Sequence, residues 1–95
     1  MPLTRPSLAD EYYLEAEDTP EEPGVEWILL YDFEGLKPST RFWTNLSRLA
    51  AQSKGSTLIQ RSVFLATSRR VVAAARRLAE HYGAKVEVFK GRREI

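Results

Sequence analysis

From Trp27 to Phe33 the sequence reads WILLYDF, apolar at every position except Asp32. A run of this length and composition is expected of a central β-strand covered on both faces. A chain of 95 residues builds one core of ordinary size and no second one, so the fold has to be assembled around this strand.

The flanking pattern supplies the other elements. Past a loop carrying Gly35 and Pro38, Ser39 or Thr40 can cap a helix whose Phe42, Leu46, Leu49 and Ala50 fall on one stripe, with Gly55 as its stop. Residues 57–66, TLIQRSVFLA, are rich in strand formers but broken by Gln60, Arg61 and Ser62. They read as one bulged strand or as two short ones. Ser68 can cap a second helix with Val71, Val72, Ala75, Leu78, Ala79 and Tyr82 facing the core and Gly83 at its end. Lys85 to Phe89 alternates as a closing strand with Val86 and Val88 inward. Trp27, Phe42, Trp43 and Phe64 are expected in the core. The order is β-α-β-α-β with a middle strand that can double. Pattern alone leaves open a small parallel sheet or an α+β, ferredoxin-like split sheet.

Charge is distributed unevenly. Residues 1–26 carry eight acids against Arg5, a net of −7, and residues 27–95 carry thirteen Lys and Arg against five acids, a net of +8. The first 24 residues also hold Pro2, Pro6, Pro20, Pro23 and Gly24, and read as an acidic disordered arm in which Tyr12, Tyr13 and Leu14 can act as an anchor. Residues 25–95 are the folded domain. No apolar run is long enough to span a membrane and no signal peptide is evident, which gives a cytoplasmic expectation. Without cysteine, and with His81 as the single histidine, a metal would have to be held by carboxylates and water.

Arg61, Arg69, Arg70, Arg76 and Arg77, continued by Lys90, Arg92 and Arg93, make a cationic surface suited to phosphate. The alternative is a solvated helix face laced with ion pairs. Asp32 ends an apolar strand, where a carboxylate is costly to bury unless paired or bound to a metal. It can instead cap a turn with Gly35. A pair of Asp32 side chains from two chains could hold hydrated Mg²⁺. His81, near a helix end, reads as a dipole partner rather than a general base.

A strand ending in Tyr31-Asp32, a helix starting near Arg41, and then Gln60-Arg61-Ser62-Val63-Phe64 resemble the small "Cas two" family of CRISPR-associated proteins, over residues 27–90. The resemblance implies a ferredoxin-like fold and a symmetric homodimer with the two strand-ending aspartates facing each other. It implies DNA or RNA as ligand, and in the metal-dependent nuclease form of the family its cleavage with Mg²⁺. In that scheme Asp32 is the catalytic metal ligand, Tyr31 its neighbour, and Arg41 a basic contact; Gln60, Ser62 and Phe64 form the dimer segment. Members of the family also act as non-catalytic dimers that bridge CRISPR integrase subunits on DNA. A toxin-like ribonuclease family, the virulence-associated D proteins, shares the architecture. The charge split suggests a further reading, an interaction module whose acidic arm occupies its own basic face.

Overall fold

The computed structural model describes residues 7–52, 57–60 and 62–92. The elements are α1 (Leu8–Glu15), β1 (Glu26–Asp32), α2 (Thr40–Ala50), β2 (Thr57–Gln60), β3 (Val63–Ala66), α3 (Arg69–His81) and β4 (Lys85–Gly91). The strands form one antiparallel sheet in the order β2-β3-β1-β4. From β1 onward this is the ferredoxin-like βαββαβ arrangement. The parallel alternative falls away because β1 runs antiparallel to both of its neighbours.

Period-two alternation along β1 decides which side of the sheet the helices cover. Trp27, Leu29 and Tyr31 point into the core, where Leu29 lies opposite Phe64 on β3 and Val88 on β4. Tyr31 meets Phe42 of α2 edge to face at 5.5 Å, and Val71, Ala75 and Leu78 of α3 are fully buried in the same core. The segment 57–66 resolves into the two short strands, with an irregular register between Leu58 and Gln60. Two hydroxyl caps start the helices: Ser39 Oγ accepts from Phe42 N–H at 3.3 Å and Ser68 Oγ from Val71 N–H at 3.2 Å. At the end of α3, Gly83 takes a left-handed φ of 94° while its N–H reaches the Glu80 carbonyl. Gly55, the expected stop of α2, lies outside the described residues.

Two expectations are corrected. Among the described residues the sheet is covered on one face only: Leu30 (37% exposed) and Phe89 (49% exposed) stand on the other, with Ile28, Val63 and Leu65 beside them in register. The segment from residue 8 to β1 is also not a disordered arm, because its first part is α1. A capping box between Ser7 and Asp10 starts that helix, and Leu8, Ala9, Tyr12 and Tyr13 pack against the core.

The tie that holds α1 is Asn45, buried on α2. Its Oδ1 accepts from Ala9 N–H at 2.9 Å, and its Nδ2 donates to the Arg41 carbonyl at 2.8 Å. Ala9 N–H is one of the first-turn donors that a helix cannot satisfy internally. Replacing Asn45 with Ala strands that buried donor, and we expect a loss of about 1–3 kcal/mol in urea denaturation together with faster hydrogen exchange at the Ala9 amide. A full-stability variant with unchanged exchange contradicts the tie.

Candidate functional site

The end of β1 carries the residue from which most chemistry was expected. Asp32 follows Ile28 and Leu30 on the open face and is exposed. Its Oδ1 accepts from Glu34 N–H at 2.8 Å, so the carboxylate closes the turn that follows the strand. That turn bends sharply through Glu34 (φ 51°) and Gly35 (φ 88°), and Leu36 N–H returns to the Phe33 carbonyl. Opposite Asp32 on β4 stands Lys85, whose Nζ lies 2.8 Å from Glu34 Oε1. This ion pair is well exposed and adds little to stability. Shallow grooves open on either side of this corner: Asp32 and Ser62 border both, with Lys85 and Glu87 along one and Lys37, Thr40 and Trp43 along the other.

As a Mg²⁺ site a single chain supplies little. Among the described residues no three acidic or histidine side chains converge as metal ligands, and Asp32 already uses one oxygen on the turn while Lys85 stands nearby. The donors of one chain therefore do not fit a resident metal.

Tyr31 does not stand beside Asp32. Consecutive strand residues point to opposite faces, so Tyr31 is in the core at 2% exposure, packed edge to face on Phe33 and Phe42 and tilted against Trp43. Burial pushes its phenol up to about 12, and the hydroxyl has no hydrogen-bond partner among the described residues. The phenol of Tyr31, read by resemblance as the neighbour of Asp32 in a catalytic pair, is therefore closed in. Phe64 lies in the core, as its aromatic character leads one to expect, fully buried opposite Leu29, so its side chain is not free for the dimer segment that the resemblance implies. Ser62 is exposed in the β2–β3 turn, where its carbonyl accepts from Tyr31 N–H at 3.0 Å. Gln60 ends β2, in register with Val63. Arg61 lies outside the described residues.

No family model, curated protein or solved structure matches the chain.

The arginines of α3 fall on two stripes rather than one broad surface. Arg70, Arg77 and His81 face α1: Arg70 Nε donates to the Tyr13 carbonyl at 2.8 Å with its guanidinium 3.7 Å from the Tyr13 ring centroid, Arg77 pairs with Glu15 at 3.0 Å, and His81 Nδ1 lies 3.2 Å from the Tyr12 hydroxyl. Arg69 and Arg76 lie on the other stripe, toward β4. Arg69 is 5.2 Å from the Trp27 ring centroid, and Arg76 approaches Glu80 at 3.8 Å. Arg41 is exposed on the first turn of α2.

The sequence reading missed Glu21, which lies at the N-terminus of α3. Its carboxylate accepts from Ser68 Oγ at 2.6 Å, Arg69 N–H at 2.7 Å and Arg70 N–H at 3.4 Å. Burial acts to raise its carboxyl, but these donors hold it below the usual range. The contact therefore stabilises the fold at neutral pH and is lost as pH falls through that lowered value. Glu22 completes the pattern by pairing with Lys90 at 3.0 Å. The signal available beforehand was the cluster of acids in residues 15–22 facing a basic domain.

Replacing Tyr31 with Phe tests its placement. We expect retained structure and a gain of up to about 1 kcal/mol in urea denaturation, because an unpaired buried hydroxyl is removed. A nucleic-acid activity lost in that variant would return Tyr31 to the site.

Proposed function

We propose that the protein is a homodimeric nucleic-acid-binding protein similar in plan to the "Cas two" family, acting as a non-catalytic scaffold. The observation that carries this reading is the position of Asp32 at the rim of an apolar, uncovered sheet face in a ferredoxin-like chain. A second copy seated on that face would cover Ile28, Leu30, Val63, Leu65 and Phe89 and bring the two β1 strand ends toward one another. Exposed apolar patches rimmed by polar residues are characteristic of association surfaces. A small domain also gains core by sharing one.

Nucleic acid is the ligand that the charge favours. The domain from Trp27 onward is strongly basic and arginine-rich, and Arg41, Arg69, Arg76 and Arg92 are exposed. Guanidinium groups suit bidentate phosphate contacts. Sequence-independent backbone binding of this kind is what a bridge between integrase subunits on DNA requires.

The scaffold form of the reading is favoured over a nuclease by the state of Asp32. Its carboxylate holds the turn, Lys85 stands beside it, and Tyr31 is closed into the core. Cleavage would need metal-activated water between two Asp32 side chains.

Titrating labelled duplex DNA and single-stranded RNA against the full chain in rising salt, with Mg²⁺ or EDTA, tests the proposal. We expect log affinity to fall linearly with log salt, without cleavage, and the slope to drop by about one when Arg76 is replaced by Ala. Asp32→Asn is expected to bind as the wild type does. Absence of binding at low salt removes the proposal. Mg²⁺-dependent cleavage that Asp32→Asn abolishes replaces the scaffold with the nuclease.

A further inference from the structure

We propose that the acidic segment from Glu15 to Glu22 is an internal competitor for nucleic acid, with Glu21 occupying the place of a backbone phosphate at the N-terminus of α3. The proposal rests on the nucleic-acid reading above and concerns its regulation.

The contacts are directional and come from one stretch of chain. Glu21 takes two backbone N–H groups and a hydroxyl at the start of a helix of 13 residues, the donor set that such a terminus offers to phosphate. Glu22 lies on Lys90, 68 residues away in sequence, and Glu15 on Arg77, 62 residues away. Each partner belongs to the basic part of the chain. Beside them runs a groove of about 380 Å³ bordered by Thr19, Trp27, Arg69, Arg76, Arg77 and Glu80. Three arginines against one acid favour an anionic occupant there.

The segment is built to detach. Its ion pair, Glu22 on Lys90, is about half exposed (42% and 53%), as is the Glu15–Arg77 pair at the end of α1 beside it (54% and 52%). Such pairs are weak and sensitive to salt. α1 is anchored separately, through buried Ala9 and the Asn45 bond, and β1 fixes the other end. Between them Ala16 to Val25 contains no helix or strand, and includes Pro20, Pro23 and Gly24 with φ 81°. Residues 17–24 can therefore lift while both ends stay in place. A polyanion offers the same charges at higher density, so binding and release of the segment compete.

The test compares three full-length proteins in a duplex-DNA salt titration: the wild type, the triple variant Glu15→Gln, Glu21→Gln, Glu22→Gln, and a control, Glu11→Gln, Glu17→Gln, Asp18→Asn. The control removes the same charge from acids whose side chains make no ion pair or hydrogen bond among the described residues. We expect the contact variant to bind roughly tenfold tighter at low salt and the control to gain only about twofold, since two weak ion pairs and the Glu21 contacts are relieved in the first alone. Equal gains in the two variants reduce the effect to bulk charge and overturn the proposal, as does an unchanged affinity in the contact variant. If none of the three binds, the nucleic-acid reading fails and this proposal with it. Hydrogen exchange on the wild type gives an answer without substitutions: residues 17–24 should exchange faster once DNA is bound, and unchanged exchange there in a DNA complex contradicts the competition.

Discussion

The two-residue period of β1 is the constraint on which the rest of the molecule depends. It directs Trp27, Leu29 and Tyr31 toward the helices and Ile28, Leu30 and Asp32 toward the open face. A slip of one residue would bury a carboxylate and expose two large aromatics, so the register is strongly specified. Because β1 pairs on both edges, its alternation is copied to β3 through Leu29 opposite Phe64 and to β4 through Leu29 opposite Val88. The covered face, the open face and the exposure of Asp32 all follow from that one strand.

On the helical side, apolar packing and charge act on different parts of the N-terminal segment. α1 is held by burial and by a buried side-chain bond, contacts that salt does not weaken appreciably. Of the acids that follow it, Glu22 is held by a partly exposed charge pair, which salt does weaken, and Glu21 by hydrogen bonds at the start of α3. Under the proposed competition, this division would let a chain with a formal net charge of +1 uncover a basic surface when nucleic acid displaces the acids.

Much of this was legible in the sequence. Ser39, Ser68 and Gly83 mark helix ends by chemistry that is local to a few residues, and the apolar stripes of α2 and α3 give long periodic signals. The central strand was found for the same reason, but its open face was not: a run apolar at nearly every position reads as covered on both faces, and only the sheet shows that Leu30 and Phe89 lack a cover among the described residues. α1 was missed because it is short and its acidic, proline-flanked surroundings resemble a solvated tail. Its Ser7–Asp10 box was a visible start signal, whereas the bond from Asn45, 36 residues away, has no local trace. The site positions that the resemblance implies for Tyr31 and Phe64 were transferred by motif order, without the alternation that turns both side chains inward. The pairing of Glu21 with the start of α3 depends on tertiary proximity and could be sensed only as a charge imbalance.

The central claim is that the open sheet face is a surface for a second copy, and the mass of the protein in solution tests it most directly. Sedimentation equilibrium of the full chain is predicted to give twice the 10.9 kDa of one chain. Leu30→Glu, which sets a charge in the middle of the apolar face, is predicted to sediment as a folded single chain with an unchanged far-ultraviolet spectrum. A wild type that remains at 10.9 kDa over the whole accessible concentration range, or a Leu30→Glu variant that dimerises as well as the wild type, contradicts the account.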